Sequence, residues 1–479
     1  MTGENIQIRK RNINNKTMKK SFLFLIAVSL TLWVSAQSTK ARQEIHDNIL
    51  LSASNYVAYV DPTLPLTPAP KGYEPFYLTH YGRHGSRWLI GEWEYQDAMG
   101  VLQRAHENGK LTERGELLRM QMEAICQSAT NRRGELTGVG ERQHHRIGKR
   151  MTEHFPEIFK AKNTQVDARS TVVIRCILSM VAECEEISSF NPNVKIHNDV
   201  SESLQYYLNA GWEKRIHEDN SVKWKSVFDY NKEYVHPERF WSLVMNDPDY
   251  RDEKIASRST FMKRVFDIAG NMQSHFGNEA DNVSDKDIRS NDIQPENGIV
   301  NGQWLDSKSL FDLFTEDEAY NLWRCKNIEW YVNYSSGISP FTQKNLLRNF
   351  LETADTIVSS KDYHGATLRF GHEVCVMPLA ALLELGDCYP DVPMDSLQNL
   401  DAKWANYRIF PMASNIQLVF YRPKKGKDGD ILVKALLNER EQTLPVKTDM
   451  YPYYKWSTLR TYYEHKLTSF EKPKMKGRR

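Results

Sequence analysis

After its N-terminal segment the sequence lacks any apolar run near the roughly 20 residues that a membrane span requires. It also lacks a CxxC pair, so neither a zinc site nor a thiol redox motif is indicated. No internal repeat or low-complexity tract is present. The composition, with 40% hydrophobic and 26% charged residues, is that of a folded globular protein and argues against a disordered or fibrous chain.

The first 36 residues are typical of a secretory signal peptide. Met18 and two lysines lead into the apolar run 22–34, which is followed by small residues ending at Ala36. We expect translation to begin at Met18 and residues 1–36 to be removed, which N-terminal sequencing of the exported product would test. Because no cysteine follows Ala36 directly, a lipid-modified N-terminus is not indicated. The sequence therefore predicts export to the periplasm or the extracellular space.

The mature chain lacks an excess of positive charge. Without residues 1–36 it contains 57 Lys and Arg against 60 Asp and Glu, a formal charge of −3. Proteins that bind nucleic acid or a membrane surface normally carry a marked positive excess, so neither partner is indicated. Any affinity for an anion must therefore come from a local cluster of cationic residues.

The order of strand-like and helix-like segments predicts an α/β body with a helical insertion. Strands are expected at residues 76–81, 165–169, 366–370, 415–421 and 431–437. Residues 37–190 and 352–479 would form the body, because strands alternate with helices there. Residues 191–351 are rich in Trp, Asn, Asp and Lys with few strand-like runs, so we expect a mainly helical inserted domain.

Three helical patterns in the body have recognisable positions. One covers residues 43–59, a second covers 138–155, and a third covers 372–385. Thr137 precedes the second and is a suitable N-cap residue, because its hydroxyl can accept a hydrogen bond from the first turn.

A charged loop follows the first expected strand and reads Arg83-His84-Gly85-x-Arg87. Guanidinium groups are planar, permanently charged forks that match phosphate oxygens, and a neutral imidazole nitrogen can attack the phosphorus that they hold. The loop therefore predicts a phosphate site with His84 as the nucleophile. The alternative is a basic surface loop in which His84 makes only a hydrogen bond.

This loop resembles the first signature of the histidine acid phosphatases, an RHGxR sequence after the first strand. Residues 134–143, GELTxxGxxQ, are similar to the second signature of that family, and residues 168–179, ARSTxxxRxxxS, are similar to the third. Residues 368–373, LRFGHE, resemble the late block that contains a second phosphate-binding histidine and a proton donor. The resemblance extends over about residues 76 to 440 in the order that the family requires.

The resemblance implies a phosphoglycerate-mutase-like fold, with a mixed sheet flanked by helices and the active site in a cleft beside the helical insertion. It implies that His84 attacks phosphorus, that Glu373 protonates the leaving alcohol, and that water then hydrolyses the phosphohistidine. The residues expected to hold the phosphoryl group are Arg83, Arg87, Arg175 and His372. This chemistry requires no metal and no other cofactor, and its partner is a small phosphate ester.

The proton donor departs from both known patterns of the family. Classical histidine acid phosphatases have Asp directly after the histidine, whereas the multiple inositol polyphosphate phosphatases have His-Ala-Glu. This chain has Glu373 directly after His372. Residues 411–421 and 432–439 are more similar to the inositol polyphosphate branch, which includes bacterial histidine-type phytases. We therefore expect an inositol polyphosphate such as phytate as the substrate, with a broad-specificity acid phosphatase as the alternative.

Two further alternatives use the same residues. His80 and His84 are four positions apart and His372-Glu373 begins like the HExxH motif, which suggests a metallohydrolase. That motif requires a second histidine where this chain has Val376, and a strand would not place His80 and His84 on one face of a helix. The other alternative is a non-catalytic phosphate-binding module, against which the presence of both His84 and Glu373 argues. No protein partner is indicated.

Overall fold

The computed structural model describes residues 39–255, 257–276, 299–300, 303–304, 310–360, 363–425 and 428–472. The expected signal peptide, residues 1–36 with its start at Met18, lies outside them. Among the helices in these ranges, none is both long and apolar enough to cross a membrane. The six cysteines are all within these ranges, and none forms a disulfide.

A mixed sheet lies at the centre of the protein. The strands of the described residues are, in chain order, β1 Tyr73–Arg83, β2 Gln165–Ser170, β3 Lys195–Asp199, β4 Ile299–Val300, β5 Gln303–Trp304, β6 Gly365–Gly371, β7 Asn415–Pro423, β8 Leu432–Leu437, β9 Arg440–Gln442 and β10 Tyr454–Lys455. The central sheet has eight strands in the order β10-β8-β7-β1-β6-β2-β3, with β9 paired to β8. β4 and β5 pair separately.

One half of the sheet is parallel and the other is antiparallel. β1, β6, β2 and β3 run in the same direction, whereas β7 is antiparallel to both β1 and β8. The register pairs Arg83 of β1 with Gly371 of β6, and Ser170 of β2 with Phe370 of β6. Three parallel strands therefore end at one edge, which is where ligands bind in open α/β sheets. The predicted mixed α/β sheet is confirmed.

Helices cover both faces of this sheet. The α-helices of the described residues are α1 Lys40–Asp47, α2 Glu92–Glu107, α3 Glu113–Ser128, α4 Gly138–His154, α5 Pro156–Phe159, α6 Ile174–Phe190, α7 Gln205–Leu208, α8 Lys214–Tyr234, α9 Glu238–Val244, α10 Arg258–Phe276, α11 Glu316–Trp330, α12 Lys344–Val358, α13 Glu373–Leu382, α14 Asn406–Ile409 and α15 Trp456–Glu471. Along β7, Leu418 and Phe420 pack on one face, and Val419 and Tyr421 pack on the other. Both faces of the sheet are therefore buried.

A separate helical core lies beside the sheet. Leu102 of α2 and Met122 of α3 pack in one cluster with Trp241 of α9, Phe261 of α10 and Trp323 of α11. Helices from residues 37–190 thus share a core with helices from residues 191–351. The division into a body and an inserted domain stays a prediction, and it cannot be based on separate hydrophobic cores.

Two elements differ from the sequence-based expectation. β3 pairs with β2 in the central sheet although it falls within residues 191–351, where few strands were expected. Its sequence, Lys-Ile-His-Asn-Asp, has one apolar residue, so it shows no hydrophobic alternation. The helix expected at residues 43–59 is divided into α1 and a 3₁₀ segment, Ile49–Tyr56, because the side chain of Asn48 accepts a hydrogen bond from the Leu50 amide and starts a new helical segment.

Close contact between α4 and the loop after β1 depends on two glycines. Thr137 caps α4 as expected, and its Oγ1 accepts a hydrogen bond from the Gly140 amide at 3.1 Å. A Cβ atom on Gly140 would lie 2.3 Å from the carbonyl oxygen of Ser86, and one on Gly85 would lie 2.2 Å from the carbonyl oxygen of Gly140. Since both obstructing atoms are backbone, a side chain at either position would push the loop away from the helix.

We expect Gly140→Ala to lower the free energy of unfolding by about 1–3 kcal/mol, the usual cost of overpacking. The matched control is Gly100→Ala, which is also within a helix, but its added Cβ would meet only the end of the flexible Arg104 side chain. The control should be neutral or stabilising by up to about 1 kcal/mol, because alanine favours helix. Denaturant unfolding followed by circular dichroism measures the free energy of unfolding of both variants. Equal values for Gly140→Ala and Gly100→Ala would contradict a close contact at Gly140.

Candidate active site

The carboxyl edge of the parallel strands brings together residues that are far apart in the sequence. His84 directly follows β1, His372 directly follows β6, and Arg175 lies in the first turn of α6, after β2. The His84 amide donates to the Gly371 carbonyl at 3.0 Å, which joins the two strand ends. The rings of His84 and His372 are 5.6 Å apart between centroids.

The imidazole of His84 is held in one tautomer. Its Nδ1 lies 2.8 Å from the carbonyl oxygen of Gly85, and because a carbonyl can only accept, the proton must be on Nδ1. Burial and the nearby positive charges of Arg175 and Arg83 hold the pKa of His84 well below its usual value. Nε2 is buried and has no hydrogen-bond partner among the described residues. It therefore carries a free lone pair on a neutral ring.

Three guanidinium groups surround this nitrogen, and each is anchored by backbone carbonyls. The anchoring hydrogen bonds run from Arg83 Nη1 to Asn55 and Phe410, both at 2.8 Å, from Arg87 Nη1 to Trp88 at 2.9 Å, and from Arg175 Nη1 to Gly134 at 3.3 Å. Nη2 of Arg83 and the Nε atoms of Arg87 and Arg175 have no hydrogen-bond acceptor among the described residues. Such open, buried donors are suited to an anion.

The carboxylate of Glu373 lies among these cations. Its Oε2 is 3.2 Å from Arg83 Nε and 3.6 Å from His84 Nε2. Burial acts to raise the pKa of Glu373, but the charges of Arg83 and Arg87 outweigh burial and lower it to about 2. Glu373 is therefore ionised at neutral pH while no other anion is bound.

His372 is also neutral. Burial lowers its pKa to about 4, although the adjacent Glu373 acts in the opposite direction. Its backbone amide donates to the hydroxyl of Tyr81 at 3.3 Å, and Cys176 Sγ lies 3.9 Å from each ring nitrogen. The structure thus brings the four predicted phosphate-binding residues together with the predicted nucleophile and acid.

Other residues hold the loop after β1 in place. The Ser86 amide donates to Gln143 Oε1 at 3.0 Å, and the Gly85 amide donates to Ser179 Oγ at 3.2 Å. Gln143 and Ser179 belong to the signature-like segments, but the sequence predicted no role for them. Asn271, whose Nδ2 donates to the Arg87 carbonyl at 2.8 Å, was missed because no motif marks it.

Three donor groups of the site have the spacing of a metal site. The ligand atoms of His84, His372 and Glu373 lie within 4.8 Å of one another. The surrounding guanidinium charges of Arg83 and Arg87 repel a divalent cation and attract an anion. The charge of the site therefore favours phosphate over metal.

No protein-family model matches the sequence, and no curated protein matches it either. Solved structures do match. The multiple inositol polyphosphate phosphatase of Bifidobacterium longum in complex with inositol hexasulfate is 18% identical, with a TM-score of 0.66 over 89% of this chain and 99% of that chain. Its complex with phosphate is 19% identical, with a TM-score of 0.65 over 88% and 99% of the two chains.

The phytase from D. castellii also matches, with 13% identity and a TM-score of 0.61 over 88% of this chain and 86% of that chain. At these identities the likeness establishes the fold. The chain thus has the α/β histidine-phosphatase-like fold that its sequence signatures led us to expect.

We expect chelator-treated protein to bind inorganic phosphate at one site and no zinc ion, as measured by titration calorimetry. Arg175→Met should weaken phosphate binding about tenfold or more, because a charge-assisted hydrogen bond is lost. Arg348→Met is the matched control, since Arg348 forms an exposed ion pair with Glu471 at 3.0 Å. Stoichiometric zinc binding that is lost in Glu373→Gln would instead indicate a metal centre.

Proposed function

We propose that the protein is an exported phosphomonoesterase that hydrolyses inositol polyphosphates through a phosphohistidine intermediate. The observation that carries this proposal is the free Nε2 of a neutral His84 inside a buried ring of anion-binding groups. The signature-like segments and the fold shared with an inositol polyphosphate phosphatase and a phytase support it. The structure of B. longum multiple inositol polyphosphate phosphatase with inositol hexasulfate supports the choice of substrate class.

In the first step, His84 Nε2 forms a bond to phosphorus while the bond from phosphorus to the leaving oxygen breaks. The open donors of Arg83, Arg87 and Arg175 stabilise the charge on the equatorial oxygens. Glu373 transfers a proton to the leaving oxygen, which departs as an alcohol. In the second step the oxygen of a water molecule bonds to phosphorus while the bond from phosphorus to His84 Nε2 breaks, and Glu373, now a carboxylate, accepts a proton from that water. Inorganic phosphate then leaves and neutral His84 is restored.

The proton for the leaving group needs a source. Glu373 is ionised in the empty site because its pKa is about 2. A phosphate monoester that binds as the monoanion carries one proton and places negative charge against Arg83 and Arg87. That charge offsets the arginines that hold Glu373 ionised, so the pKa of Glu373 rises and the proton transfers to its carboxylate. We therefore propose that the substrate monoanion supplies the proton.

We expect kcat/KM to fall above a pH of roughly 6, the second pKa of a phosphate monoester. Below that pH the monoanion predominates, whereas above it both the substrate and Glu373 have lost their protons. Steady-state rates between pH 3 and 9 would measure the profile, and a substrate with a lower second pKa should move the fall to lower pH. A profile that is flat up to pH 8 would contradict proton delivery by the substrate.

The test of the reaction itself is a pair of variants. His84→Ala should abolish phosphate release, and Glu373→Gln should slow an alkyl phosphate roughly 10²–10⁴-fold, the usual contribution of an acid catalyst. An aryl phosphate has a better leaving group, so Glu373→Gln should slow it far less. Equal losses on both substrates would remove Glu373 as the donor. If the wild-type protein releases no phosphate from an aryl phosphate, it is a binding module and not an enzyme.

A further inference from the structure

One face of α11 lies against the groups that build the phosphate site. Lys326 and Trp330 are four residues apart and therefore share a helix face. The Trp330 ring packs 5.0 Å from the Phe410 ring, between centroids, and the Phe410 carbonyl accepts a hydrogen bond from Arg83. Lys326 lies one turn earlier on the same face.

The same face continues into a π-helical turn, Tyr331–Ser335, which follows α11 directly. Tyr334 is one turn beyond Trp330, and their ring centroids are 5.3 Å apart. Burial and the nearby carboxylate of Glu373 raise the pKa of Tyr334 to about 12. A π-helical turn at this point agrees with the frequent occurrence of such turns at functional sites.

Lys326 is separated from a phosphate-binding arginine by one aromatic ring. Its Nζ lies 5.8 Å from the centroid of the Tyr56 ring, and Arg87 Cζ lies 5.7 Å from the same centroid. The ammonium and the guanidinium are therefore no farther apart than the sum of these two distances. The Lys326 side chain as a whole remains 24% exposed.

A carboxylate partly neutralises this ammonium. Lys326 forms an ion pair with Asp267 of α10, which lies one turn before the Asn271 that contacts the Arg87 carbonyl. Burial acts to lower the pKa of Lys326, but Asp267 outweighs burial and raises it, so the ammonium stays charged. Glu329 also interacts electrostatically with this ammonium, and Lys263 interacts electrostatically with Glu329. The wall formed by α10 and α11 is therefore close to neutral beside a strongly cationic phosphate site.

We propose that Lys326 binds a second phosphate of the substrate while the reacting phosphate is held by the arginines, and that Asp267 limits this binding by competing for the ammonium. The pair would thereby set the preference for polyphosphorylated over singly phosphorylated esters. A ring that carries phosphates on neighbouring carbons places negative charge beyond the reacting group, whereas a simple monoester places none. This inference rests on the proposed function and assigns its substrate preference to named residues.

The test compares the ratio of kcat/KM for phytate to kcat/KM for an aryl monophosphate. Lys326→Met, which shortens the side chain by one atom and removes its charge, should lower this ratio about tenfold. Asp267→Asn should raise the ratio, because the competing carboxylate charge is removed. The two shifts should have opposite signs, which a general loss of structure would not produce.

The matched control is Lys110→Met. Lys110 also forms an ion pair, with Asp247 at 2.8 Å. Lys110 lies beyond the C-terminal end of α2, whereas the N-terminal end of this helix is the one nearer the phosphate site. The 16 residues of α2 span about 24 Å, which separates Lys110 from that site. The substrate ratio of this variant should equal that of the wild-type enzyme. A parallel loss on both substrates in Lys326→Met would overturn the inference and show that Lys326 only supports Tyr56.

A binding measurement separates the inference from the proposed function. In the His84→Ala background, Lys326→Met should weaken the binding of phytate about tenfold by calorimetry and leave the binding of inorganic phosphate unchanged. If the wild-type protein releases no phosphate but phytate binding still depends on Lys326, the proposed function fails and the second phosphate site stands. If phytate binding does not depend on Lys326, the inference fails whether or not the protein is an enzyme.

Discussion

The parallel register between β1 and β6 is the constraint on which the site depends. It pairs Arg83 with Gly371, so that the next residue on each strand, His84 and His372, emerges at the same edge. A slip of one residue would turn every side chain of β1 to the opposite face and separate His84 from His372. The hydrogen bond from the His84 amide to the Gly371 carbonyl, at 3.0 Å, fixes this register at the point where it matters.

Burial and unbalanced positive charge together set the protonation states of His84 and Glu373. Among the described residues, the carboxylate that forms an ion pair within this arginine cluster is Glu373, with Arg83. Burial together with the guanidinium charge keeps His84 neutral, whereas at Glu373 the guanidinium charge outweighs burial and keeps the carboxylate ionised. Burying these cations without a full set of acceptors is costly, and a phosphate that supplies the missing acceptors offsets the cost. The site is therefore preorganised for an anion.

The residues that meet in the candidate site were predictable because they lie in short local patterns at strand ends, as in the loop from Arg83 to Arg87. Thr137 was predictable as an N-cap for the same reason, since capping depends on a few neighbouring residues. Tyr56, Asn271 and Lys326 were not predictable. Their positions depend on how distant helices pack against the loop, and no spacing in the sequence records that packing. The mostly polar β3 was missed because its partner strand, not its own pattern, determines its conformation.

The backbone at the start of α13 shows how Glu373, directly after His372, still reaches the candidate site. His372 has extended backbone angles, φ −128 and ψ 162, and Glu373 is the first residue of α13, so the chain turns between them and both side chains reach the site. The positive end of the α13 dipole favours an ionised carboxylate at this position, in addition to the arginines. A donor at the first helical residue is therefore held ionised more firmly than one placed further along the helix.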